Sequence, residues 1–295
     1  MADNQKTKSN FPAKVIFKTH FMSNSILEVI HRRVSVRTYY PAALSAEQKA
    51  SIKKICESNT VGPFGNRCRL ELIDLSEAEK ADLRRLGTYG FIRGTRLFIA
   101  GVITPAANAL LDFGYCFEKA VLELTGLGLG TCWMALTFNK PGFSKKTGLG
   151  ENEALVIVSP VGVPAKRKSL VDRLLKITNR SRSRKPWQEL FFDDAINTPL
   201  GREAAGPYAE ALECVRIAPS GVNYQPWRIV KERGGRRFHF FMKQKGGKNR
   251  GELHAGIAMC HFGLAAQELS LKGAWLIIDG KEIPGADYFA SWVCT

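Results

Sequence analysis

With 295 residues, 45% hydrophobic and 24% charged, the chain has ordinary globular composition and enough apolar side chains for a sizeable core. No apolar run reaches the ~18 residues that would span a bilayer, and seven scattered cysteines without a Cys-x-x-Cys pair argue against a disulfide framework or zinc ribbon. The net charge of +16, concentrated in residues 166–185 and 233–250, points first to nucleic acid, but no zinc finger, RNP-type strand or KH-type loop accompanies it.

A solvated basic surface that attracts phosphorylated small molecules explains the charge as well. The cysteines read as free thiols of a cytoplasmic protein. Residues 1–24 are polar and basic with no apolar h-region, so they read as an extension outside the fold and not as a secretory signal. Residues 26–33 form a short helix with an extended exit at 35–41. Ser45 opens a second helix, with Gln48 completing a capping box and Ile52, Ile55 and Cys56 on the apolar face. A Gly/Pro loop at 61–67 precedes a strand at 69–75, and a second strand follows at 96–102. Residues 106–126 have helical spacing and are apolar enough to be buried. The runs 131–137 and 155–161 read as central strands. Gly126, Gly128 and Gly130 superficially resemble a dinucleotide loop, but there a strand precedes the glycines and a helix follows; here the order is reversed, so they read as a helix stop.

Residues 166–199 turn basic and polar and read as a crossover pinned by Trp187, Leu190, Phe191 and Phe192. A helix at 207–215, a loop at 218–226 and a hairpin of 227–232 with 237–243 around Gly234-Gly235 come next. A long helix at 254–272 and a strand at 274–279 follow. His254 and His261 share that helix, but nothing is spaced to complete a metal site, so they read as packing residues and no metal is expected.

The second part of the chain resembles the first. Asn66 in the loop Pro63-Phe64-Gly65-Asn66 aligns with Asn223 in Ser220-Gly221-Val222-Asn223, and each loop leaves a helix carrying a cysteine, Cys56 or Cys214. Gly114 precedes Trp133 by the same interval as Gly256 precedes Trp275. A duplicated unit would pack about a pseudo-twofold, as two subunits do.

Two constellations could carry chemistry. Arg33-Val34-Ser35-Val36-Arg37 places two guanidinium groups around a hydroxyl, a set suited to phosphate and carbonyl oxygens. Residues 218–227 are dense in amides, a hydroxyl and prolines that fix the backbone path, and could meet the heteroatoms of a planar ligand edge.

Pro219-Ser220-x-x-Asn223-x-Gln225-Pro226-Trp227 closely resembles the P-S-x-x-N-x-Q-P-W loop of FMN-dependent nitroreductases, and Arg33-x-Ser35-x-Arg37 resembles their R-x-S-x-R/K element. Gly128 to Trp133 looks like the end of their central helix and the strand after it. Val161-Gly162-Val163-Pro164 with Lys166-Arg167-Lys168 looks like their G-Y-P strand end and basic phosphate segment. Arg184-Lys185-Pro186-Trp187-x-Glu189-Leu190-Phe191 is similar to a segment of the branch with tandem halves in one chain. In the family the site lies between two subunits. Here the first half keeps the arginine element but not the serine–asparagine loop, and the second half the reverse, which implies a fused pseudo-dimer with one flavin site.

The resemblance implies an α+β fold of two related halves, each with a central, mainly antiparallel sheet flanked by helices. Expected boundaries are 25–165, a crossover at 166–205, and 206–295. FMN would be the cofactor and NADH or NADPH the reductant, with hydride passing through the flavin to a nitroaromatic, quinone or similar small acceptor. Arg33, Ser35 and Arg37 would contact the phosphate, the ribityl chain and the pyrimidine edge of the ring. Met134, Ala135 and Leu136 would approach its reactive middle through backbone amides. Lys166, Arg167 and Lys168 would reach the phosphate, and Pro219, Ser220, Gly221 and Asn223 would line the ring. No side chain is expected to be an indispensable acid or base. The chain would be a monomeric pseudo-dimer or associate further as a homodimer, without membrane contact. A flavin-binding module or redox sensor without robust turnover is the alternative, and a basic nucleic-acid-binding protein is a third.

Overall fold

A computed structural model of the chain describes residues 25–41, 43–77, 92–135, 138–166, 183–243, 248–278 and 282–295. The expectations for residues 1–24, Leu136, Arg167 and Lys168 lie outside them. Helix α1 (Ile26–Arg32) starts where the Ser25 hydroxyl accepts from the Glu28 amide. Helix α2 (Ala46–Ser58) opens on the capping box read from Ser45 and Gln48 and buries Ile52, Ile55 and Cys56; a cap of this kind contributes about 1 kcal/mol. Strands β1 (Cys68–Asp74) and β2 (Leu97–Ile103), helix α3 (Ala109–Gly126), the two-residue β3 (Gly130–Thr131), helix α4 (Lys140–Thr147) and β4 (Ala154–Gly162) are the other elements among the described residues of the first half. Its sheet runs β1-β2-β4-β3, antiparallel throughout.

The second half contains β5 (Phe191–Asp193), α5 (Arg202–Ala205), α6 (Ala209–Ile217), β6 (Trp227–Lys231), β7 (Arg237–Lys243), α7 (Lys248–Glu268), β8 (Gly273–Leu276) and β9 (Ala286–Cys294). Its sheet order is β5-β6-β7-β9-β8, antiparallel except where β5 lies parallel to β6. The Gly234-Gly235 pair turns the β6–β7 hairpin with both φ values positive, 87° and 73°, a conformation that favours glycine.

Two expectations are corrected. The strand placed at 131–137 shrinks to Gly130–Thr131 with one isolated bridge at Met134–Val158, since Val36 packs over Gly130 and its N–H takes the Thr131 carbonyl at 2.8 Å. In addition, the strand read at 274–279 is Gly273–Leu276, and β9, not read from the sequence, lies between it and β7.

The halves meet along α3 and α7. A Cβ added to Gly256 would lie 2.1 Å from the Leu111 carbonyl oxygen and 2.9 Å from Gly114 Cα; one added to Gly114 would lie 2.5 Å from the Leu253 carbonyl oxygen. The two glycines that align in sequence therefore face each other, backbone against backbone. Phe113 and Phe117 of α3 pack into the first sheet's core with Leu70, Ile99 and Ile157. Phe262 of α7 packs with Phe238, Phe240 and Trp292 in the second, and Val29 and Ile30 of α1 and Leu111 and Leu122 of α3 join that second cluster. Helix α1 is clasped there by Ser25 and the Ile26 amide bonding to Glu268, and by His31 Nε2 and Glu210 Oε1 at 3.0 Å.

Gly256→Ala is expected to lower unfolding free energy by about 1–3 kcal/mol in urea titrations, since backbone must move to admit the methyl. Gly126→Ala, whose Cβ would meet only Val29 Cγ2 at 3.9 Å, is the control and should be neutral or stabilising.

Candidate functional site

Arg33 ends α1 as its C-cap, with its N–H on the Val29 carbonyl. From there the side chain turns inward, and Nε lies 3.7 Å from Glu118 Oε1 without making a hydrogen bond. Glu118, on α3, has a relative exposure of 0%. Its Oε2 accepts from Trp133 Nε1 at 2.7 Å, and Oε1 is hydrogen-bonded to His261 Nε2 at 2.9 Å. His261 Nδ1 faces the Cys214 carbonyl at 3.0 Å, so that nitrogen donates.

The chain after Arg33 runs between two other segments of the predicted site. Ser35 bridges in parallel to Thr131, two residues before Trp133. Tyr39 bridges antiparallel to Pro164, and the Ala165 amide donates to the Thr38 carbonyl at 3.0 Å. Lys166, the next residue, is exposed. Met134 is buried and Ala135 beside it is exposed. The Met134 amide donates to the Val158 carbonyl at 3.1 Å, so the backbone-donor role expected of Met134 is corrected: its hydrogen belongs to the sheet.

The late loop is strained and tightly bonded. Val222, Asn223 and Gln225 have φ of 47°, 56° and 49°, in the left-handed region, where a β-branched valine is an outlier. Ser220 Oγ accepts from the Gln225 amide at 2.9 Å, and the Ser220 and Gly221 carbonyls accept from Asn223 and Tyr224, both at 3.0 Å. Gln225, 3% exposed, accepts from the Lys185 amide at 2.8 Å. His254 Nε2, from α7, accepts from the Gly221 amide at 3.0 Å.

Arg184 links the early element to this loop. It donates to Asn223 Oδ1 at 3.4 Å and to the Ile217 carbonyl at 3.1 Å. Burial, together with the nearby Arg33 and Arg216 charges, pulls its guanidinium down to about 10. Arg184 and Glu118 were not assigned a role from sequence, and His254, read as a packing residue, holds the loop instead. A signal did exist for Glu118, a lone carboxylate among Phe113, Phe117, Val121 and Leu122; the other two are recognisable only through the fold.

The counterpart loop in the first half is closed. Asp112 Oδ1 accepts from the Phe64 amide, and its Oδ2 accepts from the Asn66 amide and side chain, each at 2.9 Å. Asp112 and His254 each stand two residues before the crossing glycine of their helix.

Two further places could hold a ligand. A cavity of about 560 Å³ is lined by Tyr40, Leu75, Ile92, Phe98 and Phe143, but none of the described predicted site residues lines it. His31, Glu210 and Cys214 bring ligand atoms within 4.8 Å of one another. Burial and the Glu210, Glu213 and Glu268 charges push the Cys214 thiol up to about 12, and His31 and Glu210 already bond to each other, so the trio acts as a clasp between α1 and α6.

A family model described as "Putative TM nitroreductase" matches residues 25–266. The solved structure of a putative nitroreductase from Thermotoga maritima is 19% identical, with a TM-score of 0.59 over 94% of this chain and 97% of its own, and so shares the fold. A nitroreductase family protein from Clostridium novyi is 21% identical over 51% of this chain and 91% of its own, with a TM-score of 0.41. A nitroreductase with bound FMN from Desulfitobacterium hafniense is 20% identical over 50% and 93%, also at 0.41. No curated protein matches the sequence.

His254→Phe removes the acceptor of the Gly221 amide. Hydrogen exchange at residues 219–225 is expected to quicken while the strands of both sheets stay protected. Unchanged exchange there would show that the loop does not lean on α7.

Proposed function

The chain belongs to the putative TM nitroreductase family, and from that premise we propose that it is an FMN-dependent oxidoreductase with one composite flavin site. The observation that carries this reading is geometric: Arg33 of the early element lies 3.7 Å from Glu118, which bonds through His261 to α6, the helix that runs into the late loop. The residues present fit a phosphorylated planar cofactor. Arg33 keeps a buried Nε without a hydrogen bond, burial and then the Arg33 and Arg216 charges lower Arg184, and Lys166 follows the Tyr39–Pro164 bridge beside the early element.

In this reading Arg33 and Lys166 hold the phosphate, with Arg167 and Lys168 extending the same basic run. Ser35 meets the ribityl chain and Arg37 the pyrimidine edge of the ring. Pro219, Ser220, Gly221 and Asn223 line the ring from the other half, and Ala135 and Leu136 supply backbone donors near its middle. When bound, FMN supplies a ring that takes a hydride from NADH or NADPH and yields electrons to an electron-poor acceptor such as a nitroaromatic or quinone. The chain's own residues bind and orient, and none is assigned as acid or base. The loop at 62–68 is left out because Asp112 occupies its amides, and we read the two halves as a duplicated unit packed as a dimer packs.

Purified full-length protein should carry the visible absorbance of flavin at one FMN per chain and lose it when NADH or NADPH is added without oxygen. A yellow protein bleached by dithionite but by neither nucleotide would leave a binding module. A colourless protein that takes up no added FMN would end the proposal. Arg37→Ala and Ser220→Trp are each expected to weaken FMN binding about tenfold or more, and normal occupancy in both would refute the composite site.

A further inference from the structure

We infer that Glu118 is a positioning residue that sets Arg33 for the phosphate of the flavin, an inference that rests on the composite site proposed above. The observation is one of convergence. Glu118 is fully buried on the apolar stretch of α3, between Phe117 and Val121, where a hydrophobic side chain would be the simplest occupant. A buried carboxylate is weak evidence of a contribution to stability, because desolvation offsets most of the attraction and an apolar replacement is often as stable. What needs explaining is which groups it touches.

Each of its three partners belongs to a different wall of the proposed site. Arg33 begins the early element. Trp133, whose Nε1 donates to Oε2, immediately precedes Met134 and Ala135. His261 contacts Oε1 and bonds through its other nitrogen to the Cys214 carbonyl on α6, the helix that runs into the 218–226 loop. The Arg33 contact differs from the other two. At 3.7 Å, and without a hydrogen bond on Nε, the carboxylate attracts and orients the guanidinium but does not consume that donor. Glu118 thus orients the Arg33 guanidinium while leaving its Nε hydrogen unused. This is the arrangement that an arginine reserved for a phosphate requires.

The test compares FMN with riboflavin, which lacks the phosphate, by titration of the full-length apo-protein. Wild type should prefer FMN. Glu118→Gln, which keeps the shape and removes the charge, should bind FMN about tenfold more weakly with riboflavin affinity nearly unchanged, so that the preference collapses. In an Arg33→Ala background the same substitution should add nothing. If Glu118→Gln fails to fold, Glu118→Asp retracts the carboxylate by one methylene and should produce the same selective loss. Equal weakening toward both ligands would mean a purely structural role and overturn the assignment, as would wild-type selectivity or losses that multiply in the double variant. A wild-type protein that binds neither flavin would instead overturn the composite site itself.

Discussion

The structure depends on the contact between two helices that leave no side chain between them at one point. At Gly114 and Gly256 the backbones of α3 and α7 touch, and a single methyl on either would meet a carbonyl oxygen. Helices in ordinary packing are kept ~8–10 Å apart by their side chains; here that spacing is given up at the crossing. One consequence is that the turns just beyond are drawn together too, bringing Glu118 of one helix against His261 of the other with no exposure for either. A second is that each helix serves two cores. Leu111 and Leu122 of α3 face the second half while Phe113 and Phe117 face the first. The halves are therefore not two bodies joined by a linker but one packed unit.

The late loop shows how such a frame can hold an unfavourable backbone. Non-glycine residues in sparsely populated backbone regions cost about 1–3 kcal/mol each, and Val222, Asn223 and Gln225 lie there in close succession. Against this stand bonds anchored outside the loop: Gln225 to the Lys185 amide, Asn223 Nδ2 to the Ser183 carbonyl at 2.9 Å, and Gly221 to His254. Each net contribution is about 1 kcal/mol, so they have to act together. Val222, at 79% exposure, takes no part in that anchoring and projects outward. Strain persists in this form only where the surroundings over-determine it, and here the surroundings are residues 183–185 and α7.

Much of this was legible in the sequence where the signal is local. The Ser45–Gln48 capping box, the Gly234-Gly235 hairpin and the buried helix at Ala109–Gly126 all follow from short-range chemistry, and all are present. The matched intervals from Gly114 to Trp133 and from Gly256 to Trp275 were visible too, although only the fold reveals that the glycines face each other. Strand β9 was missed for a physical reason. Its burial does not alternate, running through four consecutive buried residues around a bulge opposite Phe240 and Phe241, so it lacks the period-two signature. The strand read at 131–137 failed in the opposite way: Cys132 and Met134 are buried, but among the described residues beyond Thr131 only Met134 bridges to β4. In the candidate site, the arginine–serine and proline–serine segments stand out as motifs. Glu118, Arg184 and His254 act through partners 143, 39 and 33 residues away, and no local pattern encodes such pairings.

The asymmetry between the loops has a specific chemical origin. The two helices offer a side chain at the same place, two residues before the crossing glycine, and each uses it to hold its loop. In the first half that side chain is a buried carboxylate accepting three hydrogen bonds from Phe64 and Asn66, which leaves the loop's donors occupied and a carboxylate at its centre. In the second half it is a histidine accepting one, from Gly221. A carboxylate would repel a phosphate or any ring that gains negative charge, whereas the neighbours of the second loop are Arg184 and, beyond it, Arg33 and Arg216. The same backbone frame therefore carries two loops held in chemically different ways, one around a carboxylate and one against a histidine. The difference arises from the pairing of Asp112 with the Pro63–Asn66 turn and of His254 with the Ser220–Asn223 turn, and the sheets and the helix crossing are needed only to bring each pair together.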